Sequence, residues 1–389
     1  MRRITTADRR ARLVARHHLG LPAAGVDAVA AGLVGFHSSD PVSVYLSAWA
    51  RVDGFVAADL ESALYERKSL VRMLGMRRTL FVVPTDLASI MDIACARQLA
   101  SAERRRLVGM IEDQNVARDG NRWLSDVEGA TMAALQELGE ATATELTVLV
   151  PELGEKLMFG EGKSWGGPVG VSTRVLFMLA TTGRILRGRP RGTWKSSQYR
   201  WAPTNGWLKG GLDEVEADWA ETELLRRWLD SYGPGTMTDL RWWAGWTLAK
   251  TRRALARLDV EEVALDTGTG LVLADDLDPV DPPEPSIALL PGLDPSVMGW
   301  NEREWFLSGH QAQLFDTNGN AGPTVWVDGR VVGGWAQRAD GEIAVKLLED
   351  VGAEATGAVA MEAHRLTAWL GDLRIKPRFR VPLERKLSS

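Results

Sequence analysis

The stretch Gly35-Phe36-His37-Ser38-Ser39-Asp40-Pro41 lies between two apolar segments and carries four consecutive polar side chains. Val26 to Val34 precedes it and Val42 to Ala50 follows it, and both segments have the apolar character of buried helices. A simple connection between two helices does not need four polar side chains. Apolar flanks would hold those side chains rigidly, as a functional site requires. We therefore predict that this stretch, which we call the motif turn (Gly35–Pro41), is the functional centre of the chain.

His37, Ser39 and Asp40 are the candidate catalytic residues of the motif turn. With its ordinary pKa of about 6.5, His37 would accept a proton from a water molecule. Ser39 would orient that water, and Asp40 would stabilise developing positive charge. Each residue also has a structural interpretation, because Asp-Pro is typical of a helix N-cap followed by proline at the first helical position. The sequence leaves these alternatives open, and one residue can fill both roles.

Composition indicates an ordinary globular protein without membrane spans or disulfides. The 389 residues suit two to four compact modules, and 45% hydrophobic with 25% charged residues match a soluble domain. No apolar run is long enough to span a bilayer, and the N-terminus lacks the apolar core of a signal peptide. Cys95 is the single cysteine, so neither a disulfide nor a cysteine-based zinc site is possible. We predict a cytoplasmic monomer that needs no cofactor.

Metal and nucleotide sites receive no support from the remaining motifs. His17-His18 and His310 lack partners at the spacing of metal ligands. The glycine run from Gly160 to Gly167 lacks the lysine-threonine ending of a P-loop. Neither a metal nor a nucleotide is therefore predicted.

Positive charge is concentrated in two segments, although the net charge is −5. Residues 67–78 and 184–200 contain no acidic residue, whereas acids collect at 275–284 and 349–354. Such separation is typical of a phosphate-binding face, and solvated surface is the alternative. The candidate DNA-binding residues from these two segments are Arg67, Arg72, Arg77, Arg78, Arg184, Arg187, Arg189, Arg191 and Lys195.

Three successive groups of helices each end in a predicted β-hairpin, which is the order of a winged helix-turn-helix. The predicted fold class is therefore mainly α with β-hairpin wings (α+β), with tandem winged helix-turn-helix modules and a β-rich C-terminal domain. The predicted helix caps are Thr6, Ser125, Thr142 or Thr144, Thr238 and Thr247. Trp242, Trp243 and Trp246 are predicted to be core residues because they recur at helical spacing. The predicted domains span residues 1–118, 119–212, 213–280 and 286–389.

Several motifs, in order along nearly the whole chain, resemble one known family, the bacterial winged-helix DNA glycosylases typified by the azinomycin-resistance glycosylase. The residues that carry the resemblance are Leu33 to Pro41 with Trp49-Ala50-Arg51, Leu70-Val71-Arg72, Met76 to Leu80, Tyr232-Gly233-Pro234 with Trp242-Trp243, Gly319 to Thr324, and Val331 to Trp335.

The resemblance implies tandem winged helices and a C-terminal barrel-like domain that together clamp double-stranded DNA in the bacterial cytosol or nucleoid. It also implies excision of alkylated or crosslinked purines. In the family, glutamine, a variable residue, and glutamine or aspartate follow the positions of Gly35-Phe36. This sequence has His37, Ser38 and Ser39 at those positions, so it departs from the family pattern at the catalytic signature.

Two classes of function follow from these observations. The leading hypothesis is a monofunctional DNA glycosylase that acts on bulky or alkylated bases. The alternative is a DNA-binding or damage-sensing protein without catalysis. A ligand-responsive transcription regulator is a third possibility, but no dimerisation helix supports it.

Overall fold

Four β-sheets and the helices between them form the fold in the computed structural model, which describes residues 1–160, 162, 166–281 and 283–389. The strands are β1 (Arg2–Arg3), β2 (Phe36–His37), β3 (Leu70–Leu74), β4 (Leu80–Pro84), β5 (Lys156–Phe159), β6 (Gly167–Gly170), β7 (Ile185–Pro190), β8 (Tyr199–Pro203), β9 (Val260–Leu265), β10 (Gly268–Leu273), β11 (Ile287–Leu290), β12 (Thr324–Val327), β13 (Arg330–Gln337) and β14 (Ile343–Leu347).

Helices make up most of the remaining regular structure. They are α1 (Thr6–Arg16), α2 (Val26–Gly32), α3 (Pro41–Trp49), α4 (Ala57–Glu61), α5 (Thr85–Met91), α6 (Arg97–Asp113), α7 (Gly120–Leu138), α8 (Ala143–Leu149), α9 (Val171–Thr181), α10 (Thr204–Trp207), α11 (Ala217–Tyr232), α12 (Met237–Ala244), α13 (Leu248–Leu255), α14 (Pro295–Met298), α15 (Glu304–Leu307), α16 (Gln311–Leu314), α17 (Gly352–Leu370) and α18 (Pro382–Leu387). The fold is therefore mixed α/β with open sheets, and it contains both the helices and the hairpin strands that the sequence predicted.

The three predicted hairpins are present as antiparallel pairs β3–β4, β7–β8 and β9–β10. The first two do not stand apart, because β3 also pairs with β7 through Arg72 and Arg187. The result is a five-stranded sheet in the order β2-β4-β3-β7-β8, with the motif turn entering at its edge strand. The pairing of β3 with β7 could not be predicted from local periodicity, because the two strands are far apart in the chain.

Two further strand pairings were not predicted. The N-terminal strand β1 runs parallel to β9 and extends the third hairpin. β5 and β6 pair on either side of the glycine run from Gly160 to Gly167, of which residues 161 and 163–165 lie outside the described part of the chain. The four predicted domain boundaries stay a prediction.

The C-terminal sheet contains the four predicted strands in the order β11-β12-β13-β14. All three pairings are antiparallel, and helix α17 packs against β11 and β14. The sheet is open in the described structure, since β11 and β14 are its edges and do not pair with each other. Barrel-like closure, which the resemblance implied, is therefore not among the described pairings.

Helix caps confirm some sequence predictions and correct others. Thr142 and Thr247 cap α8 and α13, as predicted. Reciprocal capping boxes place the start of α1 at Thr5 and that of α12 at Thr236, rather than at Thr6 and Thr238. The cap of α7 is Asp119, six positions before the predicted Ser125. Because serine, threonine and aspartate recur near helix starts, local sequence does not choose among them.

A buried ion pair connects the beginning of the chain with its C-terminal part. Arg51 and Asp294 are fully buried, and two guanidinium nitrogens of Arg51 donate to the two carboxylate oxygens at 2.9 and 2.8 Å. Arg51 Nε donates to the carbonyl oxygen of His17 at 2.8 Å. This network fixes the end of α3, and hence the helix that follows the motif turn, against α1 and the start of α14.

No helix in the described ranges combines the length and apolar character required to cross a bilayer.

Candidate functional site

The backbone of the motif turn is held tightly against the five-stranded sheet. Gly35 has φ +99°, which favours glycine, and a Cβ there would lie 2.7 Å from Cγ1 of Val83. Beyond it, β2 pairs with β4, and the Ser38 amide donates to the carbonyl oxygen of Leu80 at 2.7 Å. The short strand therefore fixes the positions of the polar residues that follow it.

Asp40 is the N-cap of α3, as the Asp-Pro sequence predicted. Its carboxylate accepts from the amide of Val42 at 3.1 Å and from the amide of Arg378 at 2.9 Å, and Pro41 takes the first helical position. Burial raises the pKa of Asp40, while these two hydrogen bonds oppose that shift. Both carboxylate oxygens are thus engaged with the backbone, and the second partner comes from a distant C-terminal segment.

Ser38 forms the deepest polar contact of the motif turn. Its hydroxyl oxygen accepts from Arg72 Nε at 2.7 Å, and Arg72 Nη1 donates to the Tyr65 hydroxyl at 3.1 Å. The guanidinium also lies 4.4 Å from the ring centre of Tyr199. Only 1% of Arg72 is exposed, so its predicted phosphate contact is corrected to a positioning role beneath the motif turn.

His37 is buried and its ring packs edge-to-face with Phe81 at 5.1 Å. Nδ1 is buried and has no hydrogen-bond partner among the described residues. Burial, reinforced by the charge of Arg77, lowers the pKa of His37 to about 3. The ordinary pKa assumed from the sequence is therefore wrong. His37 is neutral at physiological pH and can accept a hydrogen bond, but it binds a proton weakly.

His37 and Ser39 form one wall of a cavity of about 390 Å³. Its other walls come from the β3–β4 connection, α12, the segment between residues 298 and 320, and the C-terminal tail. We call it the Trp242 cavity, and it is lined by His37, Ser39, Arg77, Thr79, Trp242, Met298, Asn301, Arg303, Gln311, Asn318, Gly319, Asn320 and Phe379. A pocket of this size, with rings and convergent polar groups, is suited to a small ligand or an extruded nucleotide.

Two arginines approach the same tryptophan in this cavity. The Arg77 guanidinium carbon lies 4.0 Å from the ring centre of Trp242, and that of Arg303 lies 5.0 Å from it. Burial lowers the pKa of each arginine to about 10, so both remain charged at neutral pH. No carboxylate is among the described lining residues. The described lining of the cavity therefore carries two positive charges and no negative one.

The backbone at Arg77 is unusual and directs this residue toward the cavity. Arg77 and Arg78 have φ +52° and +65°, in the left-handed region that side chains with a Cβ seldom occupy. Gly245, at the end of α12, leaves room for Arg77, because a Cβ there would lie 2.9 Å from Arg77 Cγ. Such backbone strain is common at functional sites.

The predicted DNA-binding residues have different surroundings in the structure. Arg67, Arg78, Arg184, Arg189 and Arg191 are exposed, whereas Arg77, Arg187 and Lys195 are partly buried. Three of the exposed arginines form ion pairs, Arg67 with Asp27, Arg78 with Glu103 and Arg189 with Glu61.

Arg187 packs on Trp201 at 3.6 Å and is the cross-strand partner of Arg72. The structure thus brings the two basic segments of the sequence into one sheet. It places Arg77 in the Trp242 cavity with two of the candidate catalytic residues, His37 and Ser39. Asp40 lines a separate small cavity.

Sequence reasoning missed several cavity residues. Trp243 and Trp246 are core residues, but Trp242 is only half-buried and lines the cavity, so its predicted core role is corrected. Asn320 belongs to a motif that carries the family resemblance, which was an available signal. Arg303 lies in no recognisable motif, and only the tertiary fold brings it to the site.

The overall fold is shared with a DNA glycosylase of known structure. The Streptomyces sahachiroi DNA glycosylase AlkZ superposes with a TM-score of 0.74 at 19% sequence identity, over 94% of this chain and 97% of that one. No curated protein matches the chain. The open sheets with their intervening helices therefore have the fold of that enzyme.

The family itself follows from the sequence match. The family model described as "DNA glycosylase AlkZ-like" matches residues 30–369, which is most of the chain and includes the motif turn. This protein belongs to the AlkZ-like DNA glycosylase family, and the predicted family resemblance is confirmed.

Proposed function

We propose that the protein binds double-stranded DNA as a monomer and excises alkylated or crosslinked purines by hydrolysis of the N-glycosidic bond. The observation that carries this proposal is the Trp242 cavity, which opens at the motif turn in a chain of a DNA glycosylase family. The proposal includes three winged helix-turn-helix modules over residues 1–118, 119–212 and 213–280, and a β-rich domain over 286–389. Residence in the bacterial cytosol or nucleoid belongs to the same proposal.

The chemistry requires little of the protein, because an N7-alkylated purine is already a cationic leaving group. A water molecule must be placed at the sugar, and neutral His37 would accept a hydrogen bond from it. The Ser39 hydroxyl, on the same wall of the cavity, would orient the water. Asp40 would act indirectly, by capping α3 and fixing the turn that carries both residues.

DNA contacts would come from the exposed arginines. Arg184, Arg189 and Arg191 lie on or beside the β7–β8 hairpin and have exposed side chains. Exposed guanidinium groups neutralise phosphates and release counterions, which makes binding dependent on salt. Arg67 and Arg78 would add contacts after exchanging their carboxylate partners for phosphates.

Base release tests the proposal directly. Duplex DNA that carries N7-methylguanine or a nitrogen-mustard crosslink is incubated with wild type, His37→Ala and Asp40→Asn. We expect release by wild type, a strong loss in His37→Ala, and a smaller loss in Asp40→Asn that accompanies lower stability. Release that neither substitution affects would move the reaction away from the motif turn.

A second function, DNA binding or damage sensing without catalysis, is favoured by one specific observation. The carboxylate of Asp40 lies in a separate cavity and is occupied by two backbone amides, and no described carboxylate lines the Trp242 cavity. A glycosylase transition state with positive charge on the sugar would lack an anionic partner from the protein. Tight binding of damaged duplex with no base release above background would establish this alternative.

A further inference from the structure

The Trp242 cavity contains two positive charges and no negative charge from its described lining residues. Arg77 Nε is buried without a hydrogen-bond partner, and no acidic neighbour opposes the burial that lowers the pKa of Arg77. Arg303 is 8% exposed, and the charge of Arg77 adds to the effect of burial in lowering the pKa of Arg303. Partial or full burial of a guanidinium group without a hydrogen-bonded carboxylate is costly, so an anion bound between Arg77 and Arg303 would lower that cost.

Two acidic groups of the segments that form the cavity walls are already engaged. Asp239 faces Arg303, but its carboxylate accepts from the backbone amides of Asn301 and Glu302, both at 2.8 Å, and from Thr236. Asp316 accepts from the amides of Asn318 and Asn320 and so folds the loop that lines the cavity. These acids position the walls of the cavity. They do not neutralise Arg77.

The remaining lining groups suit a tetrahedral oxyanion. Guanidinium groups bind phosphate through paired N–H donors. Four side-chain amides and two hydroxyls also line the cavity, from Gln311, Asn301, Asn318, Asn320, Ser39 and Thr79. The two rings, Trp242 and Phe379, would exclude water from one side. Exclusion of water strengthens the attraction between the guanidinium groups and an anion.

We propose that the Trp242 cavity is a phosphate site in which Arg77 and Arg303 hold the oxyanion. The identity of this phosphate rests on the proposed function. In the DNA complex it is the phosphodiester group beside the extruded nucleotide. That phosphate supplies the negative charge that is absent from the described lining of the cavity, where Ser39 stands at a position at which the family has glutamine or aspartate. It offsets the repulsion that the two arginines would otherwise exert on a cationic alkylated purine.

The test measures binding of inorganic phosphate by calorimetric titration, with sodium chloride at matched ionic strength as the reference. Wild type is compared with Arg77→Met and Arg303→Met. The matched control is Arg365→Met, because Arg365 also lies over a tryptophan, 3.9 Å from Trp49, but is paired with Glu362. We expect wild type and the control to bind phosphate, and each cavity variant to bind it at least ~10-fold more weakly.

One additional variant separates the charge of Arg303 from the geometry of its donors. Arg303→Lys retains the charge and should fold, and we expect intermediate affinity because the paired donors are lost. Equal phosphate binding by all variants, or none by wild type, overturns the proposal. Because no base release is measured, failure of the glycosylase activity does not affect this result.

Competition with DNA identifies the source of the phosphate. Displacement of phosphate by duplex that carries N7-methylguanine supports a DNA phosphodiester in the cavity. Simultaneous binding of duplex and phosphate assigns the cavity to a free phosphate compound and overturns its role in the DNA complex.

Discussion

Arg72 Nε donates to the hydroxyl oxygen of Ser38 at 2.7 Å, so a buried guanidinium supports the motif turn from below. The same residue pairs across strands with Arg187, which places two arginines in adjacent strands. Tyr65 and Tyr199 surround the charge of Arg72 with a hydroxyl and an aromatic face. The motif turn is therefore hydrogen-bonded to an arginine that is itself buried.

Replacement of Arg72 by methionine should destabilise the protein. The Ser38 and Tyr65 hydroxyls would lose a charge-assisted donor while they remain buried, at a cost of about 2–5 kcal/mol. Urea denaturation measures the loss, with Arg67→Met as an exposed control that should change stability by less than about 1 kcal/mol. If Arg72→Met were as stable as the control, the guanidinium would not support the turn.

Acidification should reveal the buried neutral state of His37. Its folded-state pKa of about 3 lies below the unfolded value near 6.5, so between these pH values the unfolded chain binds a proton that the folded protein does not. Stability is therefore lost as pH falls through this window, by about 2 kcal/mol from His37 at pH 5.

Urea denaturation of wild type and His37→Asn at pH 7 and pH 5 measures this contribution. The difference in unfolding free energy between the two pH values should be smaller in the variant. His17 remains in both proteins, and since burial also lowers its pKa, part of the acid sensitivity should persist. Identical pH dependence in wild type and variant would show that His37 titrates normally.

The buried pair of Arg51 and Asp294 should behave as a coupled unit. Arg51→Met leaves the Asp294 carboxylate buried without its cation and should cost about 3–5 kcal/mol. Removing both charges in Arg51→Met with Asp294→Leu should recover part of that loss. Thermal or urea unfolding of the four proteins in the cycle gives the coupling energy, and additive effects would contradict the pairing.

Salt dependence should separate exposed from packed arginines of the β7–β8 hairpin. Arg191→Ala and Arg189→Ala should each reduce the slope of log affinity against log salt by about 1, because both side chains are exposed and Arg189 can exchange its exposed ion pair with Glu61 for a phosphate. Arg187→Ala should lower stability instead, since this side chain packs on Trp201. Arg122→Ala, in an exposed pair with Asp126 on α7, is the control. Equal slopes for all four variants would place the DNA surface elsewhere.

Local sequence determined the start of α3, the three hairpins and the four strands of the C-terminal sheet. Asp40-Pro41 specifies a helix cap and a first helical residue within two positions. Alternating apolar residues near glycine turns specify hairpins. Both kinds of element could be predicted because their interactions are between neighbours in the chain. The family motifs also carried enough information to identify the family.

Tertiary structure alone decided the chemistry of the motif turn. The pKa of His37 depends on burial and on Arg77, the backbone of Arg378 occupies Asp40, and Arg303 reaches the Trp242 cavity from far along the chain. Trp242 has the helical spacing of a core residue and nevertheless lines the cavity. Burial and electrostatic interaction depend on which distant segments meet in space, and a one-dimensional pattern does not record that.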